Sequence, residues 1–207
     1  MQTIVALALC SAVTGFAPAP QPAQRATAVR VEKMDGVSMP LGYWDPMGLA
    51  ELGTEKTLAW YRAAELKHGR VCMAAATGWI FNEAGVTFPG DIAYGVPFSS
   101  LPKGVAAWEA VPSAGKLQML FAIGCIEIAS EYQKPHYMSG GKLGSIPGPF
   151  GLRLWDPLGT MTKMPEDVKA KKRLMELNNG RLAMIGVASF ISASYIDGSV
   201  PSLPSTW

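Results

Sequence analysis

Glu65-Leu66-Lys67-His68-Gly69-Arg70 heads an apolar run from Val71 to Phe81, and Glu176-Leu177-Asn178-Asn179-Gly180-Arg181 heads another from Leu182 to Ile196. Each motif sets a carboxylate, a guanidinium and a nitrogen- or oxygen-bearing side chain at the edge of a segment that reads as membrane-embedded. Charges in that position are costly, roughly 2.5–3.5 kcal/mol each on insertion scales. A chain that carries such a motif twice has a use for it, and the remaining sequence is read outward from this pair.

Composition agrees with a membrane setting. Of 207 residues, 49% are apolar and 16% charged, against about 25% charged in soluble domains. A net charge of +2, with no basic stripe interleaved with aromatics, argues against a nucleic-acid partner. Cys10, Cys72 and Cys125 do not make a disulfide framework; the last two read as small packing residues of apolar helices. No Ser/His/Asp set, metal-ligand cluster or phosphate-cradling glycine loop is present, so the chain does not read as an enzyme.

The two motifs belong to a longer internal repeat. At an offset of 111 residues, Trp44-Asp45-Pro46-Met47-Gly48 matches Trp155-Asp156-Pro157-Leu158-Gly159 without a gap. Glu55 falls on Glu166, Arg62 on Arg173, Glu65 on Glu176, His68 on Asn179, Gly69-Arg70 on Gly180-Arg181, and Met73 on Met184. Such a repeat in a membrane protein implies two equivalent elements related by a pseudo-symmetry axis.

Each copy reads as a turn followed by a long helix, over about 54–83 and 163–197. Thr54 is an N-cap candidate for the first, and Pro165 with Glu166 and Asp167 suits the first turn of the last. A third helix, over about 114–133, lies between them, with Ser113 as its cap and Lys134-Pro135 as its end. Val86 to Pro112 reads as an ordered loop. The fold expected is an all-α membrane protein of three transmembrane helices, the first and third long, crossed and related by pseudo-two-fold symmetry. Lys and Arg concentrate before the first helix and between the third and last, whereas the loop from Gly85 to Pro112 carries Lys103 alone. That bias puts the N-terminus on the positive side and the C-terminus on the other.

Glu65 and Arg70, five residues apart, lie about 140° apart around a helix and are poorly placed to neutralise each other. The same holds for Glu176 and Arg181. If the two helices cross face to face, the economical pairing is reciprocal, Glu65 with Arg181 and Glu176 with Arg70. Gly69 and Gly180 would let the backbones approach closely in lipid. His68 and Asn179 are left over. Each lies three residues after its Glu, and carboxylate, imidazole and amide carbonyl alike offer a lone pair to a cation. A chlorophyll magnesium, already held by four ring nitrogens, would take one such axial donor; the alternative is that His68 and Asn179 merely hydrogen-bond the neighbouring helix.

Glu-x-x-His-Gly-Arg in the first helix, Glu-x-x-Asn-Gly-Arg in the last, and a Trp-Asp-Pro-x-Gly turn before each resemble the light-harvesting chlorophyll-binding family. The Glu-Leu-Asn-Asn-Gly-Arg-Leu-Ala-Met run of residues 176–184 looks most like the fucoxanthin- or peridinin-type chlorophyll a/c-binding antennae of algae with red-derived plastids. The N-terminus fits. A short apolar run, Ile4 to Cys10, precedes Ala12-Val13-Thr14-Gly15-Phe16-Ala17-Pro18 and a stretch with Arg25 and Arg30 but no acid before Glu32. This is similar to a two-part plastid-targeting leader over residues 1–33, removed to leave an antenna domain over 34–207. A plain secretory signal followed by a Pro-rich linker is the alternative.

The resemblance implies that Glu65, His68, Glu176 and Asn179 are axial ligands to the magnesium of chlorophyll a, with Arg70 and Arg181 as charge partners. Gln118 and Glu127 in the middle helix would hold further chlorophyll a or c, although no Arg follows Glu127 one turn on. Trp44-Asp45-Pro46 and Trp155-Asp156-Pro157 would cradle the end groups of two carotenoids of fucoxanthin, peridinin or diadinoxanthin type. Partners would be thylakoid lipids, other antenna subunits and the core of photosystem I or II, with a stromal N-terminus and a lumenal C-terminus. Ala193 stands where family members often carry a Gln, so one chlorophyll is absent or held through water. The function implied is light harvesting; the alternative is a photoprotective quencher responding to lumenal acidification.

Overall fold

The computed structural model describes residues 36–141, 159–160 and 163–202. The leader and the Trp155-Asp156-Pro157 turn lie outside the described residues. The chain divides between Glu55 and Lys56 into two compact units. In the first, an isolated bridge joins Ser38 to Gly42, and a single turn of helix, α1 (Leu49–Leu52), follows Gly48, whose φ of 64° only glycine adopts without strain.

The second unit is helical. α2 (Glu55–Glu83), whose first residue closes the first unit, is rich in Ala, Leu, Lys and Glu, all strong helix formers. It ends in a left-handed glycine cap: Gly85, at φ 76°, donates to Asn82 O and Val86 donates to Phe81 O. The Lys103 ammonium donates to the freed Glu83 carbonyl at 2.6 Å, and Gly104 N to Asn82 Oδ1 at 2.9 Å. The following segment, expected as a loop, carries a small hairpin of β1 (Asp91–Ala93) and β2 (Val96–Pro97), antiparallel, and a short helix, α3 (Ala106–Ala110).

α4 (Ser113–Glu131) and α5 (Glu166–Tyr195) complete the set. Both start from proline. Pro112 and Pro165 occupy the N-cap positions, and their carbonyls accept from Lys116 N and Lys169 N at 3.1 Å. Ser113 is therefore the first helical residue and does not cap α4, and Pro165 precedes α5 instead of lying in its first turn.

Among the described residues five α-helices stand where three were expected, two of them a turn or so long. Among the described residues, no helix is long and apolar enough to cross a membrane. The reason is compositional. α2 and α5, at 29 and 30 residues, reach about 44 Å at 1.5 Å per residue, but their first halves are polar. α4 is more apolar, yet places Lys116, Gln118, Glu127 and Glu131 within 19 residues.

The apolar halves satisfy several of their hydroxyls within the helix. The hydroxyls of Thr77, Ser189, Ser192 and Ser194 each donate to the carbonyl four residues back. Large apolar side chains such as Leu117, Phe121, Ile128, Leu182 and Ile185 stand exposed, and the buried hydrophobic residues among those described are Ala63 and Leu177.

Candidate pigment-binding site

α2 and α5 meet at glycine. A Cβ built on Gly69 would lie 3.1 Å from the Cα of Gly180, and one on Gly180 would lie 2.9 Å from the Cα of Gly69. The two backbones therefore touch at a point where the repeat offset brings equivalent residues together. Farther along, the equivalent pair Trp79 and Phe190 stack at 5.8 Å between ring centroids.

The charged groups around this contact are exchanged between the helices. Arg70 Nε donates to Glu176 Oε1 at 2.6 Å, and Arg181 Nε to Glu65 Oε1 at 2.7 Å. These are charge-assisted bonds between partly covered groups. Glu65 has a second cation: Arg62 Nη1 donates to its Oε2 at 2.6 Å. Both oxygens of Glu65 are thus engaged, and Glu176 Oε1 is engaged. A carboxylate oxygen carries two lone pairs, so each acid keeps a lone pair to offer.

His68 is exposed, with Nδ1 2.8 Å from the carbonyl of Ala64. A carbonyl only accepts, so that contact assigns the hydrogen to Nδ1 and leaves the Nε2 lone pair free. This is how proteins commonly orient a metal-binding imidazole. Asn179, its equivalent, is also exposed.

On α4, Gln118 and Glu127 are exposed. Glu127 is not without a cation. Lys67 Nζ, reaching over from α2, donates to Glu127 Oε2 at 2.6 Å and to Glu131 Oε1 at 3.0 Å. Lys67 and Arg62 are the two charged participants that the sequence reading missed. Arg62 was visible as a matched position of the repeat, whereas Lys67 bonds residues 60 and 64 positions away, with nothing in the pattern to connect them.

In the first unit the Asp45 carboxylate organises its turn. Oδ1 accepts from Leu49 N at 3.1 Å, and Oδ2 accepts from Ala50 N at 2.9 Å and the Tyr43 hydroxyl at 3.1 Å. These donors, the Ala50 N–H foremost, hold Asp45 below the usual carboxylate range. Trp44 stands exposed beside it, and Pro46 follows.

No group of three or more His, Cys, Asp or Glu that could hold a bare metal ion is present among the described residues. The candidate donors are single side chains, the carboxylates among them each paired with a cation, which fits a magnesium that already has four ring ligands and needs one more.

Comparison with known proteins agrees. The family described as Chlorophyll A-B binding protein matches residues 30–195. The chain is 38% identical over 195 residues to fucoxanthin-chlorophyll a-c binding protein A, chloroplastic, of Phaeodactylum tricornutum, covering 92% of this chain and 94% of that one. It is 33% identical over 213 residues to the fucoxanthin-chlorophyll a-c binding protein, chloroplastic, of Trieres chinensis, covering 97% and 98%. To fucoxanthin-chlorophyll a-c binding protein B, chloroplastic, of Macrocystis pyrifera it is 32% identical over 204 residues. With that match and these relatives, the chain belongs to the chlorophyll a/b-binding protein family, whose fold is helical and membrane-embedded.

Proposed function

We infer that this chain is a light-harvesting antenna of the plastid thylakoid membrane, holding chlorophylls a and c and fucoxanthin-type carotenoids and passing excitation energy to a photosystem. It is not an enzyme. Bound pigments supply the absorption and the energy transfer; the polypeptide's part is to fix their spacing, supply one axial donor to each magnesium and keep every such site electrically neutral.

The observation that carries the reading is the exchange of partners around the Gly69–Gly180 contact. It neutralises four charges in pairs while His68 and Asn179 remain on the outer surface. In this reading Glu65, His68, Glu176 and Asn179 ligate chlorophyll a, with Arg70 and Arg181 as counter-ions. Gln118 and Glu127 hold chlorophyll a or c, and the Trp44-Asp45-Pro46 and Trp155-Asp156-Pro157 turns hold carotenoid end groups.

The same reading gives the chain three spans, α2, α4 and α5, with α2 and α5 related by a pseudo-two-fold axis through Gly69 and Gly180. Glu65, His68, Arg70, Gln118, Glu127, Glu176, Asn179 and Arg181 lower the hydropathy of the bare helices at positions assigned to pigment, and a ligated, paired carboxylate no longer presents a charge to lipid. The N-terminus is then stromal and the C-terminus lumenal. The positive-side bias supports this, since Lys103, the one cation of the opposite loop, is tied to a helix carbonyl. Residues 1–33 act as the plastid leader, and other antenna subunits and a photosystem core are the neighbours.

Purification followed by pigment extraction and chromatography tests the function directly. Chlorophyll a, chlorophyll c and a fucoxanthin-type carotenoid are expected, and a colourless native protein would overturn it. At the level of ligands, His68→Ala and Asn179→Ala are each expected to remove one chlorophyll a per polypeptide. Unchanged pigment counts in both would remove those two residues from the ligand set.

A further inference from the structure

The two repeat copies part company at Lys67, whose counterpart at the 111-residue offset is the neutral Asn178. A cation therefore stands in the copy on α2 alone, on the side where α4 approaches. There its ammonium bridges two acids one helical turn apart, Glu127 Oε2 at 2.6 Å and Glu131 Oε1 at 3.0 Å. Like charges at that spacing repel, and a shared cation removes the repulsion. Glu131 is further held through Oε2, 2.9 Å from His136 Nε2. Glu127, with Oε2 engaged by Lys67, lines a cavity of about 270 Å³ whose walls are chiefly apolar and include Leu66, Val71, Ile123 and Ile126.

We propose that Lys67 is the counter-cation and positioning residue for Glu127, neutralising it from the neighbouring helix and fixing Oε2 so that Oε1 is presented to the cleft as the axial donor to a chlorophyll magnesium. Lys67 thereby does for Glu127 what Arg181 does for Glu65 and Arg70 for Glu176. It explains why α4 needs no arginine one turn beyond Glu127, where Ser130 and Glu131 stand instead. The bridge also fastens α4 to α2 by its polar end. This assignment rests on the reading of Glu127 as a ligand.

The test uses the full chain with its pigments, comparing chlorophyll per polypeptide, visible difference spectra and far-ultraviolet circular dichroism. Glu127→Ala is expected to lose one chlorophyll. Lys67→Gln is expected to lose the same one, seen as the same missing absorption band, whereas Lys67→Arg retains it. The double variant Lys67→Gln, Glu127→Gln is expected to recover it, because a carboxamide donor is neutral and needs no cation. If Glu127→Ala loses a chlorophyll and Lys67→Gln loses none, the role given to Lys67 is overturned while Glu127 stays a ligand. If Glu127→Ala loses none, the ligand reading itself fails. Should Lys67→Gln fail to fold, the double variant decides: a full complement supports the proposal and a missing chlorophyll overturns it.

Discussion

Glu65 and Glu176 occupy equivalent places but are not equally supported. Glu65 receives Arg181 and Arg62, whereas Glu176 receives Arg70. Removing one partner of a desolvated pair costs about 3–5 kcal/mol because the other charge is stranded. Arg70→Leu should therefore destabilise the pigment-loaded protein by about that much. Arg181→Leu should cost less, roughly 1–2 kcal/mol, because Arg62 remains as a bidentate-capable partner. Thermal unfolding of the two variants ranks them, and an equal or larger loss for Arg181→Leu would show that Arg62 contributes nothing. The exchange of partners was legible in the sequence because the offset of 111 residues fixed which groups are equivalent, and the 140° separation denied each motif its own internal pair. The bond from Lys67 to α4 was not legible. It breaks the repeat, and no spacing rule links residues that far apart on unlike helices.

Among elements, the contact of α2 with α5 depends on the absence of two side chains. A Cβ on Gly180 would come within 2.9 Å of the Gly69 backbone, which cannot step aside as a flexible side chain would. Gly180→Leu should force the helices apart, lengthen both swapped ion pairs and cost about 1–3 kcal/mol, the range for overpacking. A melting temperature unchanged from wild type would mean that the helices do not touch there. Helix ends were read less well than helix bodies. Ser113 looks like a cap and Pro165 like a first-turn residue on composition, but Pro112 and Pro165, with φ near −55°, already provide the extended-to-helical junction. The hairpin of β1 and β2 escaped notice because its strands are three and two residues long, too short to show any alternation.

For the molecule entire, the decisive quantity is how little the polypeptide covers of itself. Hydrophobic burial is the main favourable contribution to folding, and here the described helices leave most of their large apolar side chains bare. Pigment and lipid must supply that contact. Extracting the pigments should leave the helical circular dichroism largely in place in detergent, since those hydrogen bonds lie within each helix, but abolish the cooperative thermal transition until pigment is returned. A transition of the same sharpness and midpoint without pigment would contradict this.

The swapped partners of α2 and α5 also impose an order of events in the cell. The counter-charges of Arg70 and Glu65 lie 106 and 116 residues farther along the chain. Threaded into a bilayer by itself, the earlier helix would carry an acid and a base with no cross-helix mate. On the three-span reading stepwise insertion is thus disfavoured, and the two segments are expected to enter the bilayer side by side.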